Sequence, residues 1–316
     1  MRFSTPNVEG WVIGDPHLGR AFNHIKLHRK GEREAAQLQQ FVGELATPDV
    51  SMIVMIGDLF DKPFVPLSVI HQAVDAARDA ALDRPDVDFA YIAGNHDRSQ
   101  QVQVRGAWEL FEAAVGWLPN VHVLGEPGQV RDVAFFPWEW VGTAAMQLEY
   151  FTPVGTVAAA IGHWDLINFG HDSHMAPTAQ LVAKLGADVQ MISGHYHVPG
   201  EYVVDGHAVV CTGSMQPYTF AEDPDGEMYV TLTVEEALAR DDLRDKCVRL
   251  ILQPGEDEPE LDCLMQTKQR VEAEKIEVEV STGNFNVRRA IAEEFGENDV
   301  PPVVRTFIEE RLGGFA

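Results

Sequence analysis

Cysteine is scarce in this 316-residue sequence: Cys211, Cys247 and Cys263 are odd in number, widely separated and never form a CxxC pair. That excludes a disulfide framework and a zinc-finger pattern, and leaves the three as small buried apolar residues in a reducing compartment. Basic residues are scarce too, 24 Lys and Arg against 49 Asp and Glu, for a formal charge of −25. A free-standing nucleic-acid binder with a basic surface is thereby excluded. Nucleic acid as a substrate is not, because bound divalent cations or a local basic strip would offset the charge where contact is made. No apolar run reaches the length of a bilayer span, and the opening MRFSTPNVEG lacks the basic start and apolar segment of a secretory signal. The reading is a cytoplasmic protein with no membrane partner. No internal repeat or low-complexity tract is found.

What the sequence has is a repeated ending. VSMIVMI runs into Gly57-Asp58, with Asp61 three residues on, and GWVIGDPHLG ends an apolar run in Asp15-x-His17. YIAGNHD delivers Asn95, His96 and Asp97, AAAIGHW delivers His163, and MISGHYH delivers His195 and His197. Five apolar runs thus stop at Gly and then, directly or one residue later, at a residue able to bind metal. A buried strand that stops in this way places its last side chains at the carboxyl edge of a sheet, where α/β proteins build their sites.

Between these runs lie helical patterns at Lys30–Leu45, 66–82, 105–115 and 178–186, with further strands at 121–124 and 132–136. Strand–helix alternation of this kind predicts an α/β layered fold. Asp205-Gly206 predicts the turn of a hairpin. From about Pro224 the Gly-ligand endings stop. Residues 225–316 read as a smaller α+β domain: a strand in GEMYVTLTV, a short helix with Thr233 and Glu236 as its capping box, a strand in CVRLIL, an alternating strand in KIEVEVS, a helix capped by Asn286 and a last helix over 302–312.

Two divalent cations close together need a shared carboxylate with oxygen and imidazole ligands on either side. Asp15, His17, Asp58, Asn95, His163, His195 and His197 supply that set without a thiolate, which argues against a closed structural zinc site. His96, next to Asn95, is read as a proton donor, with Asp61 placed to orient it. Any one of these motifs alone is usually just a turn; their joint occurrence after five strands decides for the metal centre. His171 and His174 read as a solvated loop pair, and FFPWEW as packing aromatics in preference to base-stacking ones.

Together GDPHLG, GDLFDKP, GNHD, GHW and GHYH resemble the calcineurin-like metallophosphoesterase superfamily, over roughly residues 10–220. The resemblance implies a two-sheet α/β sandwich with two divalent metal ions, manganese before iron, zinc or magnesium. It implies one ion on Asp15, His17, Asp58 and His197, the other on Asp58, Asn95, His163 and His195, and His96 assisting the leaving group. Within the superfamily, DPHLG followed by GDLFD, and the stretch Gly213-Ser214 to Phe220-x-Glu222, resemble SbcD-type nuclease subunits and the recombination endonuclease subunits of tailed phages. On that likeness residues 1–224 are the nuclease domain and 225–316 a capping-type domain. The substrate is DNA, cut by a hydroxide between the metals. The partner implied is an SbcC-type ATPase; a homodimer is a separate expectation. Eukaryotic and archaeal relatives carry His where this chain has Asp61. Two other readings stay open: a small-molecule phosphodiesterase, for example of cyclic nucleotides, and a non-catalytic scaffold of the same fold.

Overall fold

In the computed structural model the described residues are 1–22, 24–101, 104–139, 143–167 and 174–271. Met1–Leu252 with Glu256–Arg270 form one compact unit, and Gln253–Gly255 with Val271–Ala316 a second. The strand expected in KIEVEVS, the Asn286-capped helix and the helix over 302–312 lie outside the described residues.

The first unit starts with a five-stranded sheet in the order β1 (Arg2–Ser4), β2 (Glu9–Ile13), β3 (Met52–Met55), β4 (Asp88–Ile92), β5 (Val121–Leu124), parallel from β2 onward. Helices α1 (Glu32–Leu45), α2 (Leu67–Asp83) and α3 (Ala107–Val115) make the crossovers between its parallel strands. A six-stranded sheet follows, built of β6 (Gly128–Val130), β7 (Val133–Phe136), β8 (Ala159–Gly162), β9 (Gln190–Ser193), β10 (Gly200–Val204) and β11 (His207–Cys211) in the order β10-β11-β9-β8-β7-β6. Helices α4 (Ala144–Tyr150) and α5 (Thr178–Leu185) join β7 to β8 and β8 to β9. β12 (Tyr229–Thr233), β13 (Cys247–Leu252) and β14 (Met265–Arg270) form a parallel three-stranded sheet, with the short α6 (Val234–Leu238) between β12 and β13.

Alternation along single strands makes the layers. Met52 and Val54 of β3 face Val133, Phe135, Ala159 and Ile161 of the second sheet. Ile53 and Met55 point the other way, onto Phe41, Leu45, Ala73 and Phe111 of the helices. A strand buried on both faces reads as a continuous apolar run, which is the run seen in the sequence. α4 and α5 cover the outer face of the second sheet through Leu148 and Leu181. The result is the two-sheet α/β sandwich that the sequence predicts.

The hairpin forms as predicted, with positive φ at Asp205 (48°) and Gly206 (81°), as a type I′ turn requires. The Thr233–Glu236 capping box is present. Cys211, Cys247 and Cys263 are free and buried. β1, β6, α4 and β14 are elements the sequence reading does not contain. Among the described residues no helix is long and apolar enough to cross a membrane.

Candidate metal centre

The carboxyl ends of β2, β3, β4, β8 and β9 converge, and with them all seven residues singled out as ligands. Three overlapping groups of side chains have their donor atoms within 4.8 Å of one another: Asp15 with His17 and His197, Asp58 with His163 and His195, and His17 with Asp58 and His96. Asp58 belongs to the last two groups and meets the first at His17. Its Oδ2 lies 3.7 Å from His17 Nε2 and 3.5 Å from His163 Nε2. Asn95 Oδ1 lies 3.0 Å from both His163 Nε2 and His195 Nδ1.

The glycine before each ligand has a steric cause. A Cβ on Gly57, which sits at φ 122°, would fall 2.0 Å from His163 Nδ1, and one on Gly94 would fall 2.1 Å from Asp58 Oδ1. The strand ends approach so closely that no side chain fits between the ligands. His17, Asp58 and His195 themselves hold positive φ (46°, 48° and 71°), a strained conformation of the kind that clusters at functional sites. Main-chain hydrogen bonds keep it in place. His17 N donates to Asp58 O, His96 N to Asp58 Oδ1 and His195 N to Asp15 Oδ2, all at 2.8–2.9 Å.

A surrounding layer decides which imidazole nitrogen faces inward. His163 Nδ1 is 3.0 Å from Ile56 O, leaving Nε2 for the site. Asp165 Oδ1 meets His195 Nε2 at 2.8 Å, so this ring offers Nδ1. Glu222 Oε2 is 3.3 Å from His197 Nδ1, so that ring offers Nε2. Asp97, fully buried, accepts the amides of Phe60 and Gly94 at 2.8 Å and ties the Asp58 loop to the Asn95 loop. Gln37 of α1 donates to Pro16 O and His17 O. The sequence reading assigns no role to Asp165, Asp97 or Gln37; Glu222 and Asp97 stand inside motifs it quotes.

His96 is half-buried, edge-on to His17 with ring centroids 4.9 Å apart, and its Nδ1 lies 2.7 Å from the main-chain oxygen of Asp61. The orienting group is thus the Asp61 carbonyl. The Asp61 carboxylate faces His17 Nδ1 at 3.7 Å and Arg20 at 3.4 Å instead. His174, expected to be solvated, is half-buried and stacks on Trp138 at 3.9 Å, with Trp138 in turn 4.9 Å from His195. Phe135 and Phe136 are core residues; His171 lies outside the described residues.

These residues fit a pair of divalent cations. Asp15 Oδ1 and His17 Nδ1 are buried with no hydrogen-bond partner among the described residues, and two imidazole nitrogens, His17 Nε2 and His197 Nε2, face each other at 3.1 Å. Without a cation, protons must take its place. Burial pushes the Asp15 carboxyl up. For His163, burial works downward but the Asp58 and Asp15 carboxylates outweigh it and raise the imidazole to about 9. Burial would also raise Asp58, yet His163 and His17 hold it well below the usual carboxylate range. Burial lowers His17 to about 3. A bound cation would hold both carboxylates ionised and every imidazole neutral.

A family model described as calcineurin-like phosphoesterase matches residues 11–199, more than half of the chain. The chain belongs to this family. It is therefore a metal-dependent phosphoester hydrolase, of a family that uses a dinuclear metal site. Among solved structures it is similar to the Pseudomonas putida nuclease MPE, at 14% identity over 66% of this chain and 75% of that one, with a TM-score of 0.31. It is also similar to a putative 5'-nucleotidase from Staphylococcus aureus, solved with alpha-ketoglutarate, at 18% identity over 65% of this chain and 48% of that one, with a TM-score of 0.38.

Proposed function

We propose that this phosphoesterase is a DNA phosphodiesterase of the SbcD type, using two manganese ions. When bound, the cations supply Lewis acidity toward the phosphoryl oxygens and activation of water. The chain's own part is to hold them: Asp15, His17, Asp58 and His197 on one side, Asp58, Asn95, His163 and His195 on the other. Asp165, Glu222 and the Ile56 carbonyl keep the imidazoles in the tautomers that binding needs.

The observation that carries the reading of an ester with a poor leaving group is His96, and the choice of a DNA diester rests on the SbcD likeness. Its Nδ1 is taken by the Asp61 carbonyl, so its other nitrogen is left for a leaving oxygen. The departing alkoxide of a DNA strand is a poor leaving group, and a positioned imidazole that protonates it lowers that barrier. The SbcD likeness is supported by Glu222 and Tyr218, from the stretch on which the sequence resemblance rests. Glu222 supports His197, and the Tyr218 ring packs 5.1 Å from that of His17. An SbcC-type ATPase partner, a homodimer, a cytoplasmic site of action and a DNA-guiding role for residues 225–316 belong to the same proposal.

The test is purified protein with manganese, assayed in parallel on single-stranded DNA, duplex ends and cyclic nucleotides. Cleavage of DNA is expected. Robust cyclic-nucleotide hydrolysis with no action on any DNA would give the case to a small-molecule phosphodiesterase.

A further inference from the structure

Within the first unit, next to the metal centre, lies a cavity of about 820 Å³ between the residues that follow β2, the segment after β11, and the β12–β14 sheet. Among the described residues no Asp or Glu lines it, in a chain with 49 of them. Tyr218 is the shared wall, its ring 5.1 Å from His17 on one side and stacked on Phe22 at 6.3 Å on the other. Phe220 packs edge-on to Tyr229. Tyr218 and Tyr229 are buried, whereas Phe22 and Phe220 are half-buried and keep ring surface toward the cavity.

Three cations complete the lining. Arg249 lies 3.9 Å over the Phe220 ring and joins no ion pair among the described residues. Arg20 lies 4.6 Å over Tyr218 with its guanidinium also on Asp61 at 3.4 Å, and Lys268 is exposed on β14, where Glu258 meets it at 2.7 Å. Stacked on its ring with no ion pair among the described residues, Arg249 keeps its N–H fork free for phosphate. Aromatic faces beside such cations are what a single nucleic-acid strand needs: bases stack on the rings and phosphates meet the charges. The volume suits one or two nucleotides, not a double helix.

We propose that this cavity receives the single-stranded segment adjoining the phosphate to be cut, with a base against Phe22 and Phe220 and the flanking phosphates on Arg249 and Lys268. The proposal rests on the nuclease reading above and makes a free or frayed strand, not an intact duplex, the form engaged.

The test is fluorescence anisotropy of a labelled oligothymidylate on the full chain in EDTA, so that binding is read without cleavage. Phe220→Leu keeps apolar volume but removes the ring, and should weaken binding by about tenfold. Arg249→Gln should flatten the salt dependence by about 0.7 in log–log slope, the share of one phosphate contact on a single strand. Thermal melts confirm that both variants fold. Blunt duplex of equal length should bind more weakly than the single strand. Equal binding by wild type and both variants, or a duplex preference untouched by either, overturns the assignment. In a parallel assay with manganese, a wild type that cuts no DNA overturns the nuclease reading itself. Cleavage of the oligonucleotide that neither variant diminishes overturns the cavity alone.

Discussion

Asp165 holds Nε2 of His195 at 2.8 Å, and that contact decides that the ring turns Nδ1 toward Asn95 and the site. Outer partners of this kind typically account for about 10–100-fold in metal affinity. Asp165→Ala should therefore weaken binding at the Asp58–Asn95–His163–His195 side by that order, in a chain that melts cooperatively. Metal titration followed by calorimetry reads it. Unchanged affinity would mean that the ring needs no carboxylate to stay in place.

The same Asp58 oxygen faces His17 and His163, a position from which Asp58 would serve both cations. Two metal ions per chain are expected in wild type by elemental analysis. Asp58→Asn should lower occupancy on both sides, whereas His163→Ala should spare the Asp15–His17–His197 side. Full loss of one ion only in Asp58→Asn would sink the bridging assignment.

His96→Ala should keep both ions and lose about 10²–10⁴-fold in turnover on DNA, the usual contribution of a general acid. A nitrophenyl phosphodiester, whose leaving group needs no proton, should suffer much less. Equal losses on the two substrates would take the acid role away from His96.

The parts of this molecule that could be read from sequence share one physical cause. Parallel strands covered on both faces, such as β3, leave unbroken apolar runs, and the crowding of ligands at their ends demands glycine at positions such as Gly57 and Gly94. Elements without that cause stayed hidden. β1 and β6 have three residues each, too few to show a period. β14 is MQTKQR, a polar edge strand with no apolar alternation. α4 has seven residues, and only Thr143, whose hydroxyl accepts the Met146 amide, marks its start. Asp165 and Glu222 matter because of which nitrogen of a distant ring turns toward them, and no local pattern carries that. His174 looked solvated for the same reason: its partner, Trp138, is far away in the chain.

Metal removal should make stability depend on pH in one direction. In the stripped chain, burial raises Asp15, and burial together with Asp58 raises Asp97 to about 8. A buried acid with a raised folded pKa loses stability as pH climbs from its unfolded value toward the folded one. His163, raised to about 9 by Asp58 and Asp15 against its burial, contributes stability below about 6.5 that is lost as pH rises to 9. His197 is raised as well, since Glu222 and Asp15 outweigh its burial, and has the same sign. Asp58, held low by His163 and His17 despite its burial, has finished titrating in both states by pH 6.5 and adds no slope. His17, lowered by burial to about 3, is neutral in the folded chain, and its unfolded form sheds its remaining proton just above pH 6.5, a small opposing gain that ends by about pH 7.5. From pH 6.5 to 8.5 the stripped chain should therefore lose stability, each proton contributing at most about 1.4 kcal/mol per pH unit. A divalent cation bound at the site would remove the need for the protons on Asp15 and the imidazoles, so its stabilisation should add to the ordinary binding term and grow with pH. Urea melts in EDTA and in manganese at pH 6.5, 7.5 and 8.5 measure the gap. A gap that narrows as pH rises would show that the buried acids are already ionised in the stripped chain, and that cations do not stand where protons otherwise would.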